Sequence, residues 1–294
     1  MRSLLLLPAA ALLIGAAPAK LLTPTDIVAK APTNVWKAIP ADDLLVMDLK
    51  NGGRVVIQLA PKFAPRHVAN IRALARGNYW DGATVYRLQD NYVAQWGRND
   101  SDKPFPEGVT AKPPEEYMRA IKGLSITPLG YPDSYAPAAG FADGWPVAYS
   151  SKAGWATLTH CYGTVGVGRD LSPDTGTGGE LYAIIGQPTR HMDRNLAIVG
   201  RVIDGIDQLS SLPRGTEALG FYKDKSLFAP IAALRLASQM PEGERPAYEY
   251  MDTKSASFAQ YVKVRANRHD QFYIRPAGGV DLCNVQVPVR KKAS

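Results

Sequence analysis

An arginine and a glutamine, Arg87 and Gln95, sit inside sequence that is otherwise β-branched, aromatic and strand-forming: TVYRLQDNYVAQWG, Thr84 to Gly97. The polar centre and the flanking apolar runs read as a β-hairpin. With the turn centred on Asp90, Leu88 pairs with Tyr92, Arg87 with Val93 and Val85 with Gln95. The two-residue period then places Val85, Arg87, Val93 and Gln95 on one face. A guanidinium and a neutral amide above an apolar floor supply oriented hydrogen bonds and positive charge, without a nucleophile. Parity alone does not distinguish such a site from a solvated strand face.

Other chemistry is weakly supported. The four histidines, His67, His160, His191 and His269, are scattered, and His160 and Cys161 are strand neighbours that point to opposite faces, so no metal site is expected. Gly163 to Gly168, GTVGVG, lacks the spacing, the following helix and the Lys-Ser/Thr of a nucleotide loop and reads as a glycine-interrupted strand. Asp174-Thr175-Gly176 is the aspartic-protease tripeptide, but that chemistry takes two carboxylates sharing a proton. A single copy makes it a minor rival. There is no G-x-S-x-G elbow, and no cofactor is expected. Cys161 and Cys283 either pair or remain two buried thiols; sequence leaves both open.

The elements that must position these residues follow from period and punctuation. Met1 to Ala19 has a positive start, an apolar run from Leu4 to Ile14 and Ala17-Pro18-Ala19, a secretory leader with a mature start at Lys20. The run is too short to span a bilayer, which takes about 20 residues. An exported product is expected, periplasmic if the host is Gram-negative, with no stable membrane insertion after leader removal. In that setting the net charge of +7 bears on solubility and encounter more than on nucleic acid. Residues 20–41 form a lead-in with a helix at Thr25–Lys30, capped by Thr23 or Thr25. Leu44–Leu49 and Arg54–Leu59 are strands around Asn51-Gly52-Gly53. Ala64 to Gly77 carries Val68, Ile71, Leu74 and Ala75 on one helical face.

Arg98 to Ala156, crowded with Pro, Gly and Tyr, reads as a long elaborated loop. Strands return at Thr157–Val167, Leu181–Ile185, Ala197–Val202 and Ile231–Leu236, with a helix at Gly205–Leu212. The extension from Pro241 holds a helix at Ser257–Asn267 and a β-like Val280–Val289. Many short strands with few helices imply a mainly β antiparallel barrel or sandwich.

Order and spacing add a family resemblance. Ala64-Pro65, Val68, Asn70-Ile71, Tyr79-Trp80-Asp81-Gly82, Val85-Tyr86-Arg87 and Asn91 to Gly97 resemble the cyclophilin signature, with the family's interval between Arg87 and Gln95. A second block, Gly163 to Leu209, resembles the family's later motifs. The resemblance implies an eight-stranded antiparallel β-barrel capped by two helices over residues 42–240, an insert at about 99–156 and an extension at 241–294. It also implies peptidyl-prolyl cis-trans isomerase activity on proline-containing unfolded or extended polypeptides. Arg87 and Gln95 fall at catalytic positions, and Tyr92, Val93, Gly168, Arg169, Tyr182, His191 and Met192 at substrate-binding ones. Departures occur at Leu181 and Tyr182 for Phe, His191 for Trp, Leu196 for His, Glu180 for Gln, and Gly168-Arg169 for an Ala-Asn ledge. His191 in place of Trp speaks against tight cyclosporin binding. The alternative is a cyclophilin-fold chaperone that holds peptides with little or no catalysis.

Overall fold

The computed structural model describes residues 22–98 and 103–292; the expected leader, 1–19, lies outside the described residues. Eight strands close into a barrel: β1 (Leu44–Leu49), β2 (Arg54–Leu59), β3 (Thr84–Leu88), β4 (Val93–Gly97), β5 (Thr164–Val167), β6 (Leu181–Ile184), β7 (Ile198–Asp204) and β8 (Ala229–Leu236). Their order is β5-β6-β4-β3-β8-β1-β2-β7, antiparallel throughout, with β7 returning to β5. Alternate residues fill the interior, among them Leu45, Met47, Val55 and Ile57. Leu44, Val46 and Val56 on the opposite face of β1 and β2 are buried too, against Ile39 and Tyr248. This second cover explains why those strands read as nearly continuous apolar runs.

Of the four α-helices among the described residues, α1 (Pro24–Lys30), α2 (Pro65–Arg76), α3 (Ile206–Ser210) and α4 (Ala256–Ala266), the middle pair cap the barrel. Helix α2 buries Val68, Ile71, Leu74 and Ala75, and α3 buries Leu209. Pro65 opens α2, but Ala64 has no capping side chain. The Glu116 carboxylate, from the insert, accepts the Arg66 and His67 amides at 2.9 Å each and the His67 Nδ1 hydrogen at 2.7 Å. It thereby satisfies two orphan donors and places negative charge at the positive end of the helix.

The lead-in, insert and extension build a second body together. Strands Trp36–Ala38 and Val289–Lys291 flank Tyr248–Met251 in one sheet. The insert is a five-stranded antiparallel sheet, ordered Arg119–Ala120, Trp155–Leu158, Trp145–Ser150, Ala138–Ala142, Ile126–Pro128, which corrects the reading of a long loop. Its central hairpin turns on Asp143-Gly144, both at positive φ (50° and 83°), a two-residue signal hidden among the other Gly and Pro residues. Phe141 of that hairpin meets Phe258 of α4 edge-on at 4.8 Å, in one core with Ile27, Trp36, Met251 and Leu282.

Two other expectations change. Thr157–Val167 is two strands, one in each body, separated by the turns at Cys161 and Gly163. Val280–Val289 is irregular around a short 3-10 turn, Leu282–Asn284, and joins a strand only at Val289, the start of Val289–Lys291. Cys161 and Cys283 form a disulfide with Cα atoms 5.1 Å apart across 122 residues of sequence, resolving the alternative that sequence left open. The bond ties the barrel to the extension. Replacing both cysteines by serine is expected to lower stability by about 2–5 kcal/mol, read as a fall in urea midpoint for the non-reduced protein. An unchanged midpoint would mean that packing alone holds the two bodies together.

Candidate active site

Strand β3 pairs with β4 through Leu88 opposite Ala94 and Arg87 opposite Gln95, but the next pair is Val85 with Trp96. Tyr86 is therefore an extra residue, a β-bulge. The turn is also one residue later than expected: the Gln89 amide donates to the Val93 carbonyl at 2.9 Å, and Asn91 has φ 51°. Two expectations are corrected. Arg87 opposes Gln95 instead of Val93, and Val85 leaves the shared face for the core, fully buried. Tyr86 and Arg87 both turn outward.

Pairing continues across the barrel wall, Gln95 with Tyr182 and Tyr182 with Gly166, so Arg87, Gln95, Tyr182 and Gly166 form one cross-strand row. Gly166 has no side chain because the Tyr182 ring lies over it. Arg87 Nη1 donates to Gln95 Oε1 at 2.8 Å, Nη2 to Gln89 Oε1 at 2.8 Å, and Nε to the Leu219 carbonyl at 2.7 Å. Leu219 holds that carbonyl in place from a left-handed conformation, φ 59°, which costs a non-glycine residue about 1–2 kcal/mol. The guanidinium is 5.2 Å from the Phe221 ring centroid and 5.9 Å from that of Tyr92. Burial pulls its pKa below the usual arginine value, and it remains a cation.

The relay runs on from Gln95. Its Nε2 donates to Tyr86 Oη, and the Tyr86 hydroxyl donates to Glu180 Oε2. With its oxygen on Arg87 and its nitrogen on Tyr86, the Gln95 amide has one orientation. Tyr86, accepting from Gln95, must send its proton to Glu180. A Cβ at position 97 would collide with the Glu180 carboxylate, so Gly97 makes the space for it. Burial pushes the Glu180 carboxyl up to about 7, against the lowering effect of the Tyr86 hydroxyl and the Arg98 amide. Burial and the nearby carboxylate drive the Tyr86 phenol well above its ordinary value.

Beside the relay, Val93, Tyr182, Ile184 and Met192 form an apolar cluster edged by Tyr92 and Leu196, and the Tyr92 hydroxyl rests on Met192 Sδ at 3.0 Å. Beneath it, Tyr182 Oη lies 2.9 Å from His160 Nε2, and His160 Nδ1 lies 3.0 Å from Asp193 Oδ1. Asp193 can only accept, so Nδ1 carries a proton. Asp193 also takes a bond from Arg190 Nε, and Arg190 Nη2 donates to Asp133 Oδ2 of the insert at 2.7 Å. A buried polar chain thus links the apolar cluster to the second body.

The structure brings Arg87, Gln95, Tyr92, Val93, Tyr182 and Met192 together. Gly168 borders Gln95; a Cβ there would stand 3.4 Å from Nε2. Arg169 is held by the Asn195 and Asp170 carbonyls, to which it donates, and His191 is exposed on the turn that buries Met192. The Asp174 carboxylate accepts the Asp170 and Gly176 amides at 2.8 and 3.3 Å, the geometry of a turn. Among the described residues no group of three or more His, Cys, Asp or Glu side chains is placed to hold a metal ion. Sequence reasoning missed Tyr86, His160, Asp193, Leu219 and Phe221 and treated Glu180 only as a departure. The three-residue step from buried Val85 to buried Leu88, in place of two, was the available sign of the bulge.

A model of the cyclophilin type peptidyl-prolyl cis-trans isomerase family matches residues 44–226. The chain belongs to this family. It is 25% identical over 184 residues to a probable peptidyl-prolyl cis-trans isomerase of Brucella suis, covering 62% of this chain and 76% of that one. Peptidyl-prolyl cis-trans isomerase B of Bacillus subtilis is 23% identical over 167 residues, covering 57% and 88%. In fold the chain is similar to the crystal structure of cyclophilin AquaCyp293 from Hirschia baltica, with TM-score 0.66 and 22% identity, covering 93% of this chain and 98% of the other. The fold likeness therefore extends beyond the cyclophilin barrel into the second body.

In this cyclophilin the relay makes a pH test. Ionised Glu180 accepts from Tyr86 and leaves its oxygen to Gln95. Protonated Glu180 can donate to the same oxygen, competing with Gln95 and loosening its hold on Arg87. The kcat/KM for an X-Pro peptide is expected to fall as pH drops through about 7, and Glu180→Gln should flatten the profile. An inflection that persists in the variant would assign it to another group.

Proposed function

We propose that this cyclophilin-type isomerase acts on X-Pro bonds of exported polypeptides, and that Arg87 stabilises the pyramidal prolyl nitrogen of the twisted amide. Rotation about a peptide bond faces a barrier of about 18–20 kcal/mol because resonance is lost. As resonance breaks, the prolyl nitrogen gains a basic lone pair. A hydrogen-bond donor aimed at that atom binds the twisted state better than the planar one, which is what lowers a barrier.

The observation that carries this reading is the way Arg87 is held. Three of its N–H groups are fixed by Gln95, Gln89 and the Leu219 carbonyl. A guanidinium has five, so a substrate can meet the others without the cation having to be reoriented, and fixed donors cost little reorganisation at the moment of reaction. Val93, Tyr182, Met192 and Tyr92 supply an apolar seat for the proline ring next to that cation. Gln95 orients Arg87 and remains beside the substrate backbone, with Gly168 keeping the approach open. Arg169 and His191 have, in this reading, a place at the rim of the groove.

Arg87→Ala is expected to lower kcat/KM for an X-Pro test peptide by about 10²–10³ while circular dichroism and the thermal midpoint stay close to wild type. A folded Arg87→Ala protein with unaltered turnover would refute the role. The exported setting rests on the leader pattern at 1–19 and is tested separately. Expressed in a Gram-negative host, the mature protein should be periplasmic with Lys20 as its first residue, and a cytoplasmic protein retaining Met1 would reject it.

A further inference from the structure

The C-terminal extension carries an apolar tip that the isomerase site does not use. Residues 271–278 are exposed throughout, and among them Phe272, Tyr273 and Ile274 are 82%, 44% and 71% exposed. The other exposed large hydrophobic side chains among the described residues are not consecutive in sequence. Isolated exposed hydrophobics are ordinary, whereas a contiguous apolar patch marks a contact surface.

The tip is held in shape. Asp270 Oδ1 accepts the Phe272 and Tyr273 amides at 2.9 Å each, and the Asp270 amide donates to the Tyr273 carbonyl at 3.1 Å. Arg268 Nε donates to Asp270 Oδ2 at 2.7 Å, and its guanidinium lies 4.2 Å from the Tyr273 ring centroid. The Phe272 and Tyr273 rings meet edge-on at 5.0 Å. Little conformational freedom remains to be lost when the tip is covered.

Charge narrows the partner. From Lys263 to Arg275 the cations are Lys263, Arg265, Arg268 and Arg275 and the sole carboxylate is Asp270, which Arg268 and the turn amides occupy. Arg265, Arg268 and Arg275 line a depression of about 440 Å³ beside Tyr273, with Asp281 as its acidic member. A basic rim around an apolar, aromatic tip matches the boundary between anionic headgroups and acyl chains, where tyrosine sits at headgroup depth and aliphatic groups go deeper. Among the described residues no helix is long and apolar enough to cross a membrane.

We propose that Phe272, Tyr273 and Ile274 form a peripheral anchor that seats in the surface of an anionic phospholipid bilayer, with Arg265 and Arg275 meeting lipid phosphates. The anchor is independent of the role given to Arg87.

The test uses residues 20–294, which include every buried hydrophobic residue described, so that the leader cannot bind lipid. Flotation with vesicles of phosphatidylcholine and phosphatidylglycerol should recover the protein. Recovery should fall roughly tenfold on phosphatidylcholine alone and decline with added salt, because charges near an anionic surface are screened within about 10 Å at 0.1 M. Phe272→Ser with Ile274→Ser should weaken binding by tenfold or more with isomerase turnover and thermal midpoint unchanged. Arg275→Gln should weaken binding on anionic vesicles only. Equal recovery of the double serine variant would overturn the proposal. So would a concentration-dependent dimer that disappears in that variant, since the tip would then be covered by a second copy.

Discussion

With regular pairing in β3, Tyr86 and Arg87 would point to opposite sides of the barrel wall, and one of them would enter the core. Turned inward, Arg87 would leave an unpaired charge among aliphatic side chains, at a cost of several kcal/mol. The bulge removes that conflict by inserting Tyr86 between Val85 and Arg87. Val85 and Leu88 keep their places inside, and two polar side chains stand together outside. The Gln95 orientation, the Tyr86 proton and the position of Glu180 all depend on that one extra residue.

The second body reaches the same face from below and from the side. Asp133 and Arg190 hold Asp193, which holds His160 under Tyr182. A buried chain of this kind contributes little net stability, yet removing one member strands the others, so its value lies in fixing one arrangement. Glu116 serves α2 similarly, as a cap borrowed from the insert. The insert is therefore wired to both the pocket wall and the helix that covers the barrel.

Much of the barrel was legible because its strands and α2 obey simple periods. Leu44–Leu49 and Arg54–Leu59 were bounded by an Asn-Gly-Gly turn, and Val68, Ile71, Leu74 and Ala75 marked one helical face. The pairing of Arg87 with Gln95 is lost when a strict two-residue period is laid across the three-residue step from Val85 to Leu88. The insert sheet was obscured for another reason: Pro in Ile126–Pro128 and Trp145–Ser150 and Gly in Ala138–Ala142 look like loop punctuation until neighbouring strands are known. Asp133, His160 and the Arg190–Asp193 pair lie too far apart in sequence for any local pattern to join them. The Glu180 departure was visible, but its partner Tyr86 is defined only by the bulge.

The sheet that seals the second body joins Trp36–Ala38 to Tyr248–Met251 and Val289–Lys291. A chain made from its N-terminus cannot form that sheet until Val289–Lys291 has been synthesised, and the aromatic face at Phe141 stays uncovered until α4 arrives. Domains usually fold as their sequence emerges; here Trp36–Ala38 must wait for strands that follow the whole barrel. A prematurely terminated product would expose apolar surface that proteases and chaperones recognise. The closing sheet thus brackets the barrel in folding order, since the second body begins before the first barrel strand and is completed after the last.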